Sequence, residues 1–325
     1  MRAGDLAQQC LRLAEAANDC RMLFGGHYVV GEVALWSGNL PEARSRIMRA
    51  MEFYDPTADE NLLLYYGIDP FVVGCLILGF AETPMGRCDH ALKLCGDAQA
   101  RAAELSHLYS QAFSLAVIAQ VHQMRREPAR AALAARELST ISHEHGFGEM
   151  LGWAEWITGW AMVEQHRGDQ GIQTMLKAIK FHESIGGTIA TPWRRGVLAE
   201  GYAKNGRLDD AQQELRRAIE TADKTGLHFF DAELCRIGGE IALRSDPQDP
   251  QAAERKFRDA IALAKGQEAR LWELRGAVSL GRQLRDTNRP DEARTILSEI
   301  YNWFAEGFEL PDLKEAKALL DELSS

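Results

Sequence analysis

Hydrophobic and polar positions along the chain fall into blocks. Within a block apolar side chains recur one helical turn apart, and short runs rich in Gly, Asn, Asp and Pro separate one block from the next. A longer period runs through the blocks. Small residues stand at Gly31, Gly79, Ala119, Gly159, Ala199, Gly239 and Gly281, in steps of 48, 40, 40, 40, 40 and 42. A second small residue follows each by 12 positions, or by 14 in the sixth case: Ala43, Ala91, Ala131, Gly171, Ala211, Ala253 and Ala293. Between the two lies a turn, at residues 37–41, 82–86, 126–128, 167–169, 205–207, 245–250 and 288–290. Gly and Asn supply left-handed helix stops, and Pro suits a first helical turn. Four residues after the second small position an apolar side chain usually follows on the same face (Ile47, Met175, Leu215, Phe257, Leu297). The pattern predicts seven helix-turn-helix units over residues 25–307. A leading half-repeat over 1–24 precedes them, so that the chain reads as beginning inside an array, and a capping helix over 311–325 carries Leu313, Leu320 and Leu323 on one stripe.

Helix pairs with small residues at fixed places approach closely and bury one another's apolar faces by stacking, which makes a solenoid. The 325 residues, enough for about two average domains, then form one continuous array. The expected fold is all-α: a single domain, 1–325, built as a right-handed α-solenoid of antiparallel helix pairs. The pattern resembles the tetratricopeptide repeat, whose small and bulky positions match Ala199, Tyr202, Ala211 and Leu215 of the fifth unit. The common motif has about 34 residues, so the longer step here implies longer helices.

Charge narrows the function. Thirty-seven Lys and Arg against 47 Asp and Glu leave a net −10, which repels phosphate backbones and anionic lipid and argues against nucleic-acid and membrane-surface roles for the chain as a whole. The most apolar run, 72–81, is about half of what spans a bilayer and reads as a buried helix. Six cysteines without a CxxC pair read as free thiols in a reducing cytosol.

Catalytic signatures are sparse. No Gly-Lys dipeptide occurs, so no P-loop is present, and there is no HExxH motif. His143 and His145 point to different faces of a helix that Gly146 stops, Cys88 and His90 diverge in the same way, and Asp69 before Pro70 suits a helix cap. No catalytic residue, cofactor site or metal site is assigned.

The inner face of the array gives the sharpest candidates. The repeat phase assigns Phe113, Trp153 and Trp193, forty positions apart, to groove-facing positions of successive units, with Trp156 and Trp160 beside them. Large rigid aromatics there suit a peptide, a helix or a flat ligand. The same phase places Arg275, Arg282 and Arg285 in the last unit and Glu233, Arg236 and Glu240 before it, a basic end suited to an acidic peptide or an anionic small molecule. A competing reading packs the same tryptophans between long helices as core. Arg194 beside Trp153, Trp156 and Trp193 provides a polar group for a small-molecule pocket.

Several segments resemble a known family. They are Tyr54-Asp55-Pro56, Tyr66-Gly67-Ile68-Asp69-Pro70, the stretch 122–128 (His-Gln-Met-Arg-Arg-Glu-Pro), Gly159-Trp160-Ala161, and above all 301–308 (Tyr-Asn-Trp-Phe-Ala-Glu-Gly-Phe) with 312–317 (Asp-Leu-Lys-Glu-Ala-Lys). Together they are similar, almost end to end, to the C-terminal tetratricopeptide-like region of large bacterial proteins in which a class III adenylate or guanylate cyclase domain and an AAA-type ATPase come first. The resemblance implies a sensing, scaffolding or autoregulatory arm of a cytoplasmic signalling protein, not cyclase activity in this chain. The expected function is a non-enzymatic module that binds a protein or peptide, including cyclase or ATPase domains of the same system, through its concave face. The alternative is a small-molecule sensor of an ATPase-type regulator.

Overall fold

The computed structural model describes residues 3–55, 62–247 and 249–324. Pro56 of the Tyr-Asp-Pro segment and Gln248 of the sixth turn lie outside the described residues. Among those described, seventeen helices and no strand occur. In chain order they are α1 (Ala3–Ala17), α2 (Cys20–Trp36), α3 (Leu40–Met51), α4 (Leu62–Tyr66), α5 (Pro70–Glu82), α6 (Cys88–Glu104), α7 (Leu108–Met124), α8 (Pro128–His145) and α9 (Gly148–Glu164). The second half comprises α10 (Gly168–Ser184), α11 (Thr191–Lys204), α12 (Leu208–Thr225), α13 (Asp231–Ser245), α14 (Pro250–Gly266), α15 (Arg270–Asp286), α16 (Pro290–Tyr301) and α17 (Pro311–Glu322). Seven antiparallel pairs, α2/α3, α5/α6, α7/α8, α9/α10, α11/α12, α13/α14 and α15/α16, stack as a right-handed solenoid, with α1 ahead of them and α17 behind.

Two boundaries differ from the sequence expectation. The leading helix α1 stops at Ala17 because Asn18 turns left-handed (φ 51°) and Asp19 caps the next helix, accepting from the Met22 amide at 3.0 Å. Residues 20–24 therefore open the first unit. The eight-residue excess before the second unit contains the single-turn helix α4, after which Gly67 (φ 72°) and the Asp69 cap, accepting from Val72 N at 3.1 Å, start α5.

The small positions are the seam between the two helices of each pair. A Cβ on Gly79 would stand 2.9 Å from the Ala91 carbonyl oxygen, and one on Gly159 2.7 Å from that of Gly171. A Cβ on Gly31 would stand 2.8 Å from Ile47 Cδ1, so the first small residue faces the second or the bulky side chain one turn beyond it. This seam predicts opposite signs for two glycine substitutions. At Gly171 a methyl group would collide with the Gly159 backbone oxygen, which cannot swing aside, so Gly171→Ala is expected to destabilise by about 1–3 kcal/mol. Gly96 sits in α6 facing open space, with no atom within 4 Å of where a methyl group would stand, so Gly96→Ala is expected to stabilise by roughly 0.5–1 kcal/mol. Urea midpoints of the two variants check both.

The solenoid closes on its own inner face. Phe229 N, just before α13, donates to Trp36 O of α2 at 3.1 Å, and Leu271 N of α15 donates to Pro84 O after α5 at 2.9 Å. At the far side Gly307 N donates to Asp89 of α6 at 3.0 Å. The first two units thus meet the last two across the axis. The surface of 14711 Å² is near the roughly 13,400 Å² expected of a compact monomer of this mass, so little of an open groove remains.

Candidate binding pocket on the inner face

The inner face keeps a pocket of about 370 Å³ walled by α2, α5, α7, α9, the loop after α10 and the start of α11, while a second opening of about 320 Å³ lies among α14, α15 and α16. Tyr28, Glu32 and Trp36 are four apart on α2 and so form one stripe. The Glu32 carboxylate accepts from the Tyr28 hydroxyl and from Trp36 Nε1, each at 3.0 Å. Among the described residues no basic side chain pairs with it. Burial holds the Glu32 carboxyl above the ordinary carboxylate range, and the two ring donors offset this only in part. Ile77 and Phe80 of α5, Phe113, Ala116, Val117 and Gln120 of α7, and Glu149, Met150 and Trp153 of α9 complete the walls.

Arg194 enters from the other side. Ala190 adopts a left-handed backbone (φ 62°) ahead of α11, and Arg194 Nη2 donates back to Ile189 O at 2.7 Å. Its guanidinium lies 4.3 Å from the Trp153 ring centroid, in cation–π contact, while its buried Nε has no partner. Burial pushes the Arg194 pKa down to about 10, opposed by the Glu149 and Glu183 charges, neither of which forms an ion pair with it. Glu183 is instead held by Arg195 at 2.5 Å.

His182 of α10 packs behind Trp153 with ring centroids 5.4 Å apart, and its Nδ1 faces Ala178 O at 3.0 Å. Burial, then the Arg194 charge, push its pKa down to about 4. The fold thus holds the neutral ring, and the stability this gives is complete above the ordinary value of 6.5 and fades as pH falls towards 4.

The predicted site residues divide into three places. Phe113 and Trp153 line the pocket. Trp156 and Trp193, 0% and 1% exposed, lie behind it rather than on a groove surface, because the closed inner face packs them. Their ring centroids are 5.1 Å apart, and Trp193 also meets Phe80 at 5.5 Å and Phe229 at 6.2 Å, in a ladder that continues to Trp272. Trp160 borders a narrow cleft beside Arg126, Glu200, Glu233 and Arg275, away from the pocket.

Arg236, Arg275 and Arg282 form the third group, and acids meet them all. On α15, Arg275 Nε donates to Asp312 Oδ1 at 2.9 Å and its Nη1 to Glu233 Oε2 at 3.3 Å, and its Nη2 caps the Met124 carbonyl of α7. Arg236 Nε donates to Glu233 at 2.8 Å and its Nη2 to Glu200 at 2.9 Å. Arg282 pairs with Glu315, and Arg285 with Glu322 at 2.8 Å. The basic end expected at the last unit is therefore neutralised, chiefly because α17 lays Asp312, Glu315 and Glu322 along α15. These partners hold the Asp312 and Glu200 carboxyls below the usual range despite burial, and keep Arg275 and Arg236 charged.

Sequence reasoning missed Tyr28, Glu32 and Trp36. The available signal was a lone carboxylate inside the otherwise apolar stretch 28–36. Other reactive groups are quiet. Burial pushes the Cys75, Cys88 and Cys95 thiols up to about 12, and all six cysteines are free. Among the described residues no helix is long and apolar enough to cross a membrane, and no cluster of three acidic, His or Cys ligands occurs.

No protein-family model matches the chain, and no curated protein matches it in sequence. Solved structures do match in shape. A Rap protein complexed with Competence and Sporulation Factor superposes with a TM-score of 0.65 at 12% identity, over 93% of this chain and 77% of that one. The apo form of RapI gives 0.54 at 13% identity, over 92% and 99%. Aspartyl phosphate phosphatase F from Bacillus subtilis gives 0.53 at 11%, over 90% and 73%. At these identities the likeness is one of fold: the chain is similar to Rap-type helical-repeat structures along nearly its whole described length.

Proposed function

We propose that the chain is a non-catalytic sensor module of a signalling system, which takes its ligand in the inner-face pocket and transmits occupancy through closure of the array. The observation that carries this is a pocket of about 370 Å³ with aromatic walls and two ionisable groups, Glu32 and Arg194, that have no counter-charge in contact. Ligand sites are mostly apolar cavities of roughly 300–1,000 Å³ with a few convergent polar groups. A site of this size accepts a small molecule or a short peptide segment, the two partner classes the sequence suggests.

The buried thiols near 12 and the His182 imidazole near 4 are far from the values that acid, base or nucleophile chemistry needs at neutral pH, which supports a binding role. A Rap-type fold solved with Competence and Sporulation Factor bound is consistent with a sensor. The resemblance to regions that follow cyclase and ATPase domains supports such cytoplasmic domains as the partners that read the occupied array.

Thermal-shift screening of metabolites and short peptides against the wild-type chain and Phe113→Ala tests the reading. Phe113 is half-buried in the pocket wall, so its loss leaves the core intact. Compounds that raise the melting temperature of wild type but not of Phe113→Ala are expected, with a ligand at a hundred times its Kd adding about 2.7 kcal/mol. Equal shifts in both proteins would place the site elsewhere.

A further inference from the structure

The pocket has a chemical polarity that narrows its ligand. On α2 the Glu32 carboxylate is held by Tyr28 and Trp36, hydrogen-bonded to these two aromatic donors and to no cation, in a pocket that Phe80 and Phe113 also line. Aromatic faces around a carboxylate are the surroundings that favour an organic ammonium group, through ion pairing and cation–π attraction together. On α11 Arg194 is 2% exposed, stacked over Trp153, with Nε unpartnered. A buried guanidinium with an unused donor is matched by a carboxylate or another oxyanion. Glu32 and Arg194 line the same pocket without pairing with each other, and Ile77, Phe80, Ala116 and Val117 give it an apolar lining. Glu149, at the exposed rim, disfavours ligands that are wholly anionic.

We infer that this pocket binds an amphipathic zwitterion, with an ammonium group on Glu32, an acid group on Arg194, and an apolar segment between them. The inference deepens the sensor reading and rests on it. Two sources share this chemistry: a free small molecule with separated charges, and a short peptide with free ends.

Intrinsic fluorescence reports the site directly, because Trp36 and Trp153 line it. The probes are 6-aminohexanoate, hexylamine and hexanoate, three molecules with one carbon frame, and the tripeptide Ala-Phe-Ala with free ends or with both ends blocked. 6-Aminohexanoate is expected to bind on the order of tenfold more tightly than either single-charge probe, since each end adds a charge-assisted hydrogen bond. Glu32→Gln should bring the zwitterion to the level of hexanoate, and Arg194→Met to that of hexylamine. The free-ended tripeptide should likewise exceed its blocked form; whichever zwitterion binds more tightly identifies the source. Comparison of probes on the wild-type chain stands even if a variant does not fold. If all three six-carbon probes bind alike and are weakened alike by Phe113→Ala, zwitterion recognition is overturned while the pocket remains a binding site. Absence of binding by every probe at millimolar concentration overturns the inference and counts against the pocket as well.

Discussion

Replacing Arg275 by methionine is expected to lower unfolding stability by about 3–5 kcal/mol, because it strands buried acids instead of merely removing a contact. Asp312 and Glu233 are 2% exposed, and Arg275 donates to both. Without it Asp312 keeps only Arg126 at 3.1 Å, Glu233 keeps only Arg236, and the Met124 carbonyl loses its cap. The double variant Arg275→Met/Asp312→Leu should recover part of the loss, since the stranded acid goes with its partner. The network also fixes the sign of the acid response. The Asp312 and Glu200 carboxyls lie below their ordinary values, so their stabilisation is complete above the usual carboxylate range and is lost as pH falls through it. Urea denaturation of the three proteins checks the effect; a single variant as stable as wild type would mean that Asp312 and Glu233 are not buried together.

Trp193→Ala should have a comparable effect, about 3–5 kcal/mol, as large-to-small changes in packed cores do. Its ring touches rings from five other residues, Phe80 of α5, Trp153 and Trp156 of α9, and Phe229 and Phe230 of the loop before α13. The cavity would open at the axis, where the units meet, and no single unit can collapse to fill it. Trp193→Phe should lose less than about 1.5 kcal/mol, because it keeps most of the ring and removes a buried Nε1 that has no partner. If Trp193→Ala left the urea midpoint unchanged, Trp193 would belong to an accessible groove after all.

What the sequence showed and what it hid follow from the range of the interactions. The seam of small residues is local, since Gly159 and Gly171 lie 12 positions apart on consecutive helices, and its period is plain in the chain. Closure is not local. Trp36 and Phe229 meet across 193 positions, and whether they do depends on the summed tilt of every intervening pair. Phe113, Trp153 and Trp193 were thus legible as inward-facing, but not which of them would line a pocket and which would pack beneath it. The arginines of α15 are similar. The apolar stripe of α17 was visible, while the acids Asp312, Glu315 and Glu322 beside it gain meaning only when that helix lies along α15. Glu32 was hidden because a single acid in a helix ordinarily faces water, and only the turn of α2 towards the axis places it among rings.

The array closes on its own side chains, so that its inner face is mostly core around the pocket that Phe113 and Trp153 line. The radius of gyration in dilute solution, from small-angle X-ray scattering, tests this most directly. A compact chain of 325 residues should give about 20–23 Å. An open superhelix, with its helices stacked roughly 10 Å apart and the groove accessible along its length, would give about 27 Å or more, and that result would contradict the account.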